Sequence, residues 1–383
     1  MTMIEPKAQQ PPFACVTVVG LGLIGGSVAL AARRAGVERV RGVDADPRTV
    51  ARAVELGACD EALSADAAWT AGWFAADADG LVVLATPVDA TLVWIADLAE
   101  KGFRGVVTDV ASTKAAVMDA AAAHARQGLH VIGGHPMAGS ERSGIDAASA
   151  TLFDGAYHVL TPAADTDTDA FRRLHAFVAS LGARVISVPA DAHDEAVAVI
   201  SHVPHVAAAA LIALAGERAR SGGQDLLRLA AGGFKDMTRI AAGSPKLWTG
   251  ICLDNAPAVI AGVEDLRRVL GDFSAVLGRR DAQALEAWLA EAAEQRRALP
   301  AQWVPATSAL RELSIPMRDE PGVISTITTA VGRHGCNIED IEIDHQSEDA
   351  AVLRLVLTDE GDTGSLMAEL AEAGFAPQLK PLE

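Results

Sequence analysis

The stretch that decides the fold is Cys15-Val16-Thr17-Val18-Val19-Gly20-Leu21-Gly22-Leu23-Ile24-Gly25. Its opening residues, apolar or β-branched throughout, predict a strand buried on both faces. Glycines then fall in GxGxxG spacing, and the Ala-rich stretch Ser27–Ala35 predicts a helix. A second strand, Arg39–Val43, runs into Asp44, 19 residues beyond Gly25. Strand, glycine turn, helix and strand form the βαβ unit in which GxGxxG signifies a dinucleotide site. Gly20 makes the tight turn, Gly22 lets the backbone approach a pyrophosphate, and Gly25 lets helix and strand pack closely. The phosphates belong at the helix N-terminus, where Leu23 and Ile24 form the first turn. A carboxylate at Asp44 can hydrogen-bond the ribose 2′-hydroxyl and would repel a 2′-phosphate, so NAD is favoured. Arg48 keeps NADP open.

The alternation continues outward. Gly80–Ala85 is a strand ending in Thr86-Pro87, Gly105–Thr108 one ending in Asp109-Val110-Ala111-Ser112-Thr113-Lys114, and His130–Gly133 one that delivers His135. Ligands bind at the carboxyl ends of such strands, so Thr86, Pro87, Ser112 and His135 are expected to face the cofactor. Ser112 reads equally as a helix N-cap or as a catalytic contact. Between Gly133 and Gly144 the chain reads GGHPMAGSERSG, where a histidine precedes proline among four glycines. That pattern suits an active-site loop better than a core or a regular element. Ala183–Val188 is the last strand of this region, and a boundary falls near Pro189.

Beyond Pro189 the pattern is helical as far as about Leu299. Val206–Ala215 is apolar on all faces, as expected of a helix buried in a homodimer core. Ser201-His202-Val203-Pro204-His205 places two histidines on one face beside a proline that kinks the helix, and His205 is the functional candidate. In Gly232-Gly233-Phe234-Lys235-Asp236-Met237-Thr238-Arg239, Asp236 and Arg239 lie one turn apart. They make either a surface ion pair or a guanidinium aimed at a substrate carboxylate. Trp248 is either a packing residue or a wall of the substrate pocket.

Composition limits the choices. A chain of 383 residues exceeds one ordinary core, and its hydrophobic fraction of 50% fits a soluble globular protein. With 32 basic against 50 acidic residues, the net charge of −18 argues against nucleic acid and anionic membranes as partners. No apolar stretch reaches the roughly 20 residues of a membrane span, and MTMIEPKAQQPPFA lacks the features of a signal peptide. Cys15, Cys59, Cys252 and Cys336 are scattered without a CxxC pair, which fits a reduced cytoplasmic protein without a structural metal. An anionic substrate therefore needs a local positive site.

After Pro300–Pro305 the order is βαββαβ, the ferredoxin-like split pattern. With Asp319-Glu320-Pro321-Gly322-Val323 before its first helix and Gly335-Cys336-Asn337-Ile338 after it, this segment resembles an ACT domain. The fold expected is thus an α/β Rossmann-type parallel sheet over 13–188, an all-α substrate and dimerisation domain over 189–300, and an α+β ACT domain over 308–383.

In combination and in order, GLGLIGGS, DVASTK, GGHPMAGSERSG, SHVPH and FKDMTRIA resemble the prephenate/arogenate dehydrogenase family of tyrosine biosynthesis. The resemblance implies NAD-dependent oxidative decarboxylation of prephenate or arogenate. By it, His135 is the catalytic histidine and hydrogen-bonds the 4-hydroxyl of the substrate, while Ser112 orients it and the nicotinamide. Arg239 binds the ring carboxylate, and His205, Ser140, Glu141 and Trp248 complete the pocket. The ACT segment implies an amino-acid effector, tyrosine, near Asp319, Gly322 and Asn337. Two other classes stay open: another Rossmann-plus-helical dehydrogenase with a lysine acid/base, and a non-catalytic sensor of NAD and amino acids.

Overall fold

In the strand β1 (Cys15–Val19) every residue is buried. It lies third from one edge of a sheet that continues through β2 (Arg39–Val43), β3 (Glu61–Leu63), β4 (Leu81–Leu84), β5 (Val106–Asp109), β6 (His130–Pro136), β7 (Tyr157–Thr161) and β8 (Arg184–Ser187). The computed structural model describes residues 11–76, 80–124, 128–139, 142–222, 226–298, 311–318, 320, 322–347, 350–358 and 361–381. The first eight strands lie in the order β3-β2-β1-β4-β5-β6-β7-β8. Pairing is parallel from β3 to β6, antiparallel between β6 and β7, and parallel again between β7 and β8. The sheet is therefore mixed where the sequence predicts a parallel one. Its helices are α1 (Leu23–Arg34), α2 (Pro47–Glu55), α3 (Ala65–Thr70), α4 (Trp73–Ala76), α5 (Val88–Glu100), α6 (Ala115–His124) and α7 (Thr168–Ser180). Central strands made of valine, isoleucine and leucine can be buried on both faces only because helices cover them.

The chain divides into two units, Met1–His193 together with Ala306–Glu383, and Asp194–Pro305. The helix α8 (Ala190–Val197) begins in the first of them. In the second, a π-helical turn (Ala198–His202) leads into α9 (Val203–Gly222). The helices α10 (Gly232–Thr238), α11 (Pro245–Asp254), α12 (Ala256–Gly278) and α13 (Ala282–Ala298) follow. The π-turn lies directly before Pro204, and its wider spacing accommodates a residue that cannot donate to the helical ladder. One helical run, Ala190–Ser221, has 32 residues and by length and composition could cross a membrane. Counting only the uninterrupted stretch Val206–Ala215 missed it.

The C-terminal segment forms β9 (Arg311–Arg318), α14 (Val323–Arg333), β10 (Ile338–Ser347), β11 (Ala350–Leu357), α15 (Thr363–Glu372) and β12 (Gln378–Pro381), as the βαββαβ pattern predicts. Its strands lie in the order β12-β9-β11-β10, and β10 joins the outer edge of β8 through Ile338 opposite Val185. One core runs through both, from Phe171, Leu174 and Val185 to Ile327, Val331 and Ile338. That continuity is invisible in sequence, because it depends on an edge left unfilled in a distant element.

Two buried histidines make the first unit sensitive to acid. Burial and the Lys114 charge push His158 down to about 3, and burial pushes His175 down to about 4 against a hydrogen bond with the Ile338 backbone. Between those values and the ordinary histidine value, the unfolded chain binds protons that the folded chain refuses. Stability therefore falls as pH drops below about 6.5, by roughly 1 kcal/mol per pH unit for each histidine, and this contribution is constant above that pH. Urea unfolding from pH 7.5 to 4.5 measures the slope, and His175→Gln should flatten it. An unaltered slope would assign the acid sensitivity to other groups.

Candidate functional site

The glycine loop behaves as its spacing predicts. Gly20 has φ +90°, and a Cβ there would lie 2.5 Å from the Ala85 carbonyl oxygen. A Cβ on Gly25 would lie 1.8 Å from the Gly20 carbonyl oxygen, so helix and turn touch backbone to backbone. Around Gly22 the space is open. The first turn of α1, which includes Leu23 and Ile24, contains no acidic residue and has no side-chain cap, leaving its amides for an anion. Asp44 is half-buried; its Oδ2 accepts from the Leu21 amide at 2.8 Å and its Oδ1 from the Asp46 amide at 2.9 Å. A carboxylate has lone pairs left after two such bonds, so Asp44 can also accept from a ribose hydroxyl. The Arg48 side chain is 92% exposed and turned to Asp46. Thr86 adjoins Gly20, and its hydroxyl is 2.9 Å from that of Thr91 under the start of α5, for which Pro87 is the N-cap. These residues fit a dinucleotide.

His135 sits on a strand. The sequence places it in a loop, but β6 extends through His135 and Pro136, which pair with Val159 and His158 of β7. The glycines flank a ladder rather than replacing it, and Pro136 is accommodated as the last residue of the strand. Ser112 lies in a bend between β5 and α6, three residues before the helix begins at Ala115, so it is not the helix cap. His193 of α8 was not singled out from the sequence. It is buried, its Nε2 lies 2.8 Å from His135 Nδ1, and the two rings meet edge to face. The missed signal was a lone histidine one turn past the rim of the last strand, just beyond the boundary drawn at Pro189.

In the helical unit the structure brings His205, His202 and Trp248 together. The His205 and Trp248 rings stack at 3.5 Å with an interplanar angle of 11°, and His202 meets the same indole edge-on at 6.1 Å. Burial holds the His205 imidazole below its ordinary value, and its buried Nδ1 has no hydrogen-bond partner among the described residues. Asn255, also missed, donates from Nδ2 to the Asp194 carbonyl at 2.7 Å and lies 3.3 Å from His202 Nδ1. Arg239 opens a 3-10 turn directly after α10 and is exposed.

Of the remaining predicted positions, Ser140, Glu141 and Asp319 lie outside the described residues. Gly322, at φ +91°, is the N-cap of α14, whereas Asn337 is buried beyond the other end of that helix. Eleven helical residues, about 16 Å, separate the two, so one chain does not gather them into a single effector site. The alternation of elements fixed each position along the chain but not which end of the module it occupies.

Residues 28–187 match the family "Prephenate dehydrogenase, nucleotide-binding domain", 189–291 match "Prephenate dehydrogenase, dimerization domain", and 311–375 match "ACT domain". The prephenate dehydrogenase of Bacillus subtilis is 34% identical over 91% of this chain and 93% of its own length. The cyclohexadienyl dehydrogenase of Zymomonas mobilis is 31% identical over 75% of this chain and 96% of its own. The solved prephenate dehydrogenase from Aquifex aeolicus, in complex with hydroxyphenyl propionate and NAD+, is 30% identical with a TM-score of 0.68, covering 75% of this chain and 98% of that one. Synechocystis arogenate dehydrogenase is 33% identical with a TM-score of 0.63, over 74% and 99%. With the NAD loop, the His135 strand and the appended module all in place, the chain belongs to the prephenate dehydrogenase family, as an NAD-dependent dehydrogenase carrying an ACT domain.

Proposed function

We propose that this chain oxidatively decarboxylates prephenate to 4-hydroxyphenylpyruvate. The observation that carries this reading is His135, set at the carboxyl end of β6 in the sheet that also carries the dinucleotide loop, with His193 against its Nδ1. If Nδ1–H donates to His193, Nε2 is left as the base that takes the 4-hydroxyl proton. NAD, when bound by the Gly20–Gly25 loop and Asp44, supplies the hydride acceptor for C4. The ketone so formed is conjugated with the carbon bearing the carboxylate. Release of CO2 sends the electron pair of the broken bond into the ring, which becomes aromatic and takes up a proton at oxygen. Ser112 is assigned to orient His135, Arg239 to bind the ring carboxylate, and His205, Trp248, Ser140 and Glu141 to line the pocket. The buried open Nδ1 of His205 and its stacking on Trp248 support a polar contact to substrate there.

The functional divisions remain 13–188, 189–300 and 308–383, and we assign the apolar helical unit to homodimerisation. Ile200 and Ile260 are 65% and 64% exposed in a single chain, beside a groove lined by Val203, Ala207, Ile240, Leu266 and Val269. A second copy is the occupant the dimerization match supports, rather than a bilayer. Free thiols at all four cysteines fit the cytoplasm. We assign tyrosine to the ACT module, where Arg318 and Glu320 lie 3.5 Å apart at a cleft lined also by Met317, Val323 and Phe375. A cation and an anion beside an aromatic wall match a zwitterionic amino acid.

Arogenate is the second reading, since it differs from prephenate only in its side-chain amino group and the similar proteins include a cyclohexadienyl dehydrogenase and an arogenate dehydrogenase. NAD reduction by the full-length chain should proceed with higher kcat/KM on prephenate than on arogenate. The reverse order would transfer the assignment to arogenate. Tyrosine added to the same assay should inhibit without competing with prephenate, and Arg318→Ala should remove that inhibition while basal rates stay. Purely competitive inhibition, unchanged by Arg318→Ala, would place tyrosine in the active site as a product analogue.

A further inference from the structure

We propose that the buried ion pair Asp109–Lys114 is a positioning device that fixes the backbone beneath both His135 and Ser112. The inference rests on the catalytic assignment of those two residues. Asp109 ends β5 and Lys114 precedes α6, and their side chains are 1% and 0% exposed. Lys114 Nζ donates to Asp109 Oδ2 and, at 2.7 Å, to the Gly134 carbonyl. Asp109 Oδ1 accepts from the Gly134 amide at 3.0 Å, and Oδ2 accepts from the Ala111 amide at 2.9 Å. The pair therefore grips the N–H and the C=O of the residue before His135, and the N–H of the residue before Ser112.

Its place in the sheet explains why side chains are needed. The parallel ladder between β5 and β6 stops at Thr108 opposite Ile132. Past that point β6 turns to β7, and its tie to β5 is made by the carboxylate and the ammonium. Gly134 also has no room for a side chain: a Cβ there would lie 2.5 Å from the Asp109 carbonyl oxygen and 3.0 Å from His158 Nε2. Stability alone is a poor reason for such a pair, because apolar residues of similar volume often serve as well in a core. What a charged pair with four directed bonds provides is registry, here between two strand ends that carry the reacting side chains.

The test is the full-length double variant Asp109→Asn/Lys114→Met, which removes both charges together, with Asp109→Glu as the variant that keeps the charge but shifts it. NAD affinity from cofactor fluorescence, melting temperature, KM for prephenate, and kcat per NAD-binding site are measured. The expected result is NAD affinity and KM within about threefold of wild type, with kcat per NAD-binding site lower by about 10²-fold in the double variant and less in Asp109→Glu. A folded double variant with kcat within about threefold of wild type overturns the proposal. So does a rate loss that disappears once rates are expressed per NAD-binding site, or failure of every variant to fold, since either makes the pair a folding element. His135→Asn, run beside them, separates the two claims: a fast His135→Asn enzyme removes the catalytic assignment, whereas a slow one with an unimpaired double variant removes only the positioning role.

Discussion

Changing His135 to Asn lowers kcat by about 10²–10⁴-fold, the range that a positioned general base contributes. NAD affinity stays at the wild-type value, because the dinucleotide loop and Asp44 follow β1 and β2, whereas His135 lies on β6. Asparagine keeps the size of the side chain near that of the imidazole and leaves the β6–β7 ladder to hold the backbone. What it lacks is a nitrogen that can accept the hydroxyl proton and share the positive charge with His193. Steady-state rates at saturating NAD and prephenate, with cofactor binding measured separately, check the result. A rate within about threefold of wild type would take His135 out of the mechanism.

The second large effect is on binding. Arg239→Gln raises KM for prephenate by about 10- to 100-fold, since a charged hydrogen bond is worth ~1.5–3 kcal/mol, and changes kcat much less. A guanidinium holds a carboxylate through two parallel hydrogen bonds in the ground state and the transition state alike, whereas glutamine offers one neutral donor. In a protein with a net charge of −18 the long-range field works against an anionic substrate, so the local cation matters more. An unchanged KM would confine Arg239 to contacts within the helical unit.

Local pattern made the first domain readable. The burial of β1, the turn at Gly20 and the acid after β2 are decided by neighbours a few residues away, and all three stand as the sequence implies. The ACT elements appear in their expected order for the same reason. Long-range pairing was not readable. His135 was placed in a loop because glycine and proline dominate its neighbourhood, but β7 supplies a partner strand that local propensity does not encode. His193 went unnoticed because its meaning lies in the ring it meets, 58 residues away. The antiparallel turn between β6 and β7 and the docking of β10 on β8 depend likewise on edges that only the assembled sheet defines.

The join between β8 and β10 also sets the order in which a nascent chain can become whole. Val185 waits for Ile338, so the outer edge of β8 emerges with its strand partner still unsynthesised. The helical unit, Asp194–Pro305, lies wholly within that interval and is contiguous in sequence. It can complete its own contacts first, as domains do when they fold as units during synthesis. The unit that holds the cofactor loop and His135 closes last, when the end of the chain arrives to cover an apolar edge. Until then that edge is the segment of the newborn protein most open to pairing with the wrong strand, and the place where a chaperone would be of most use.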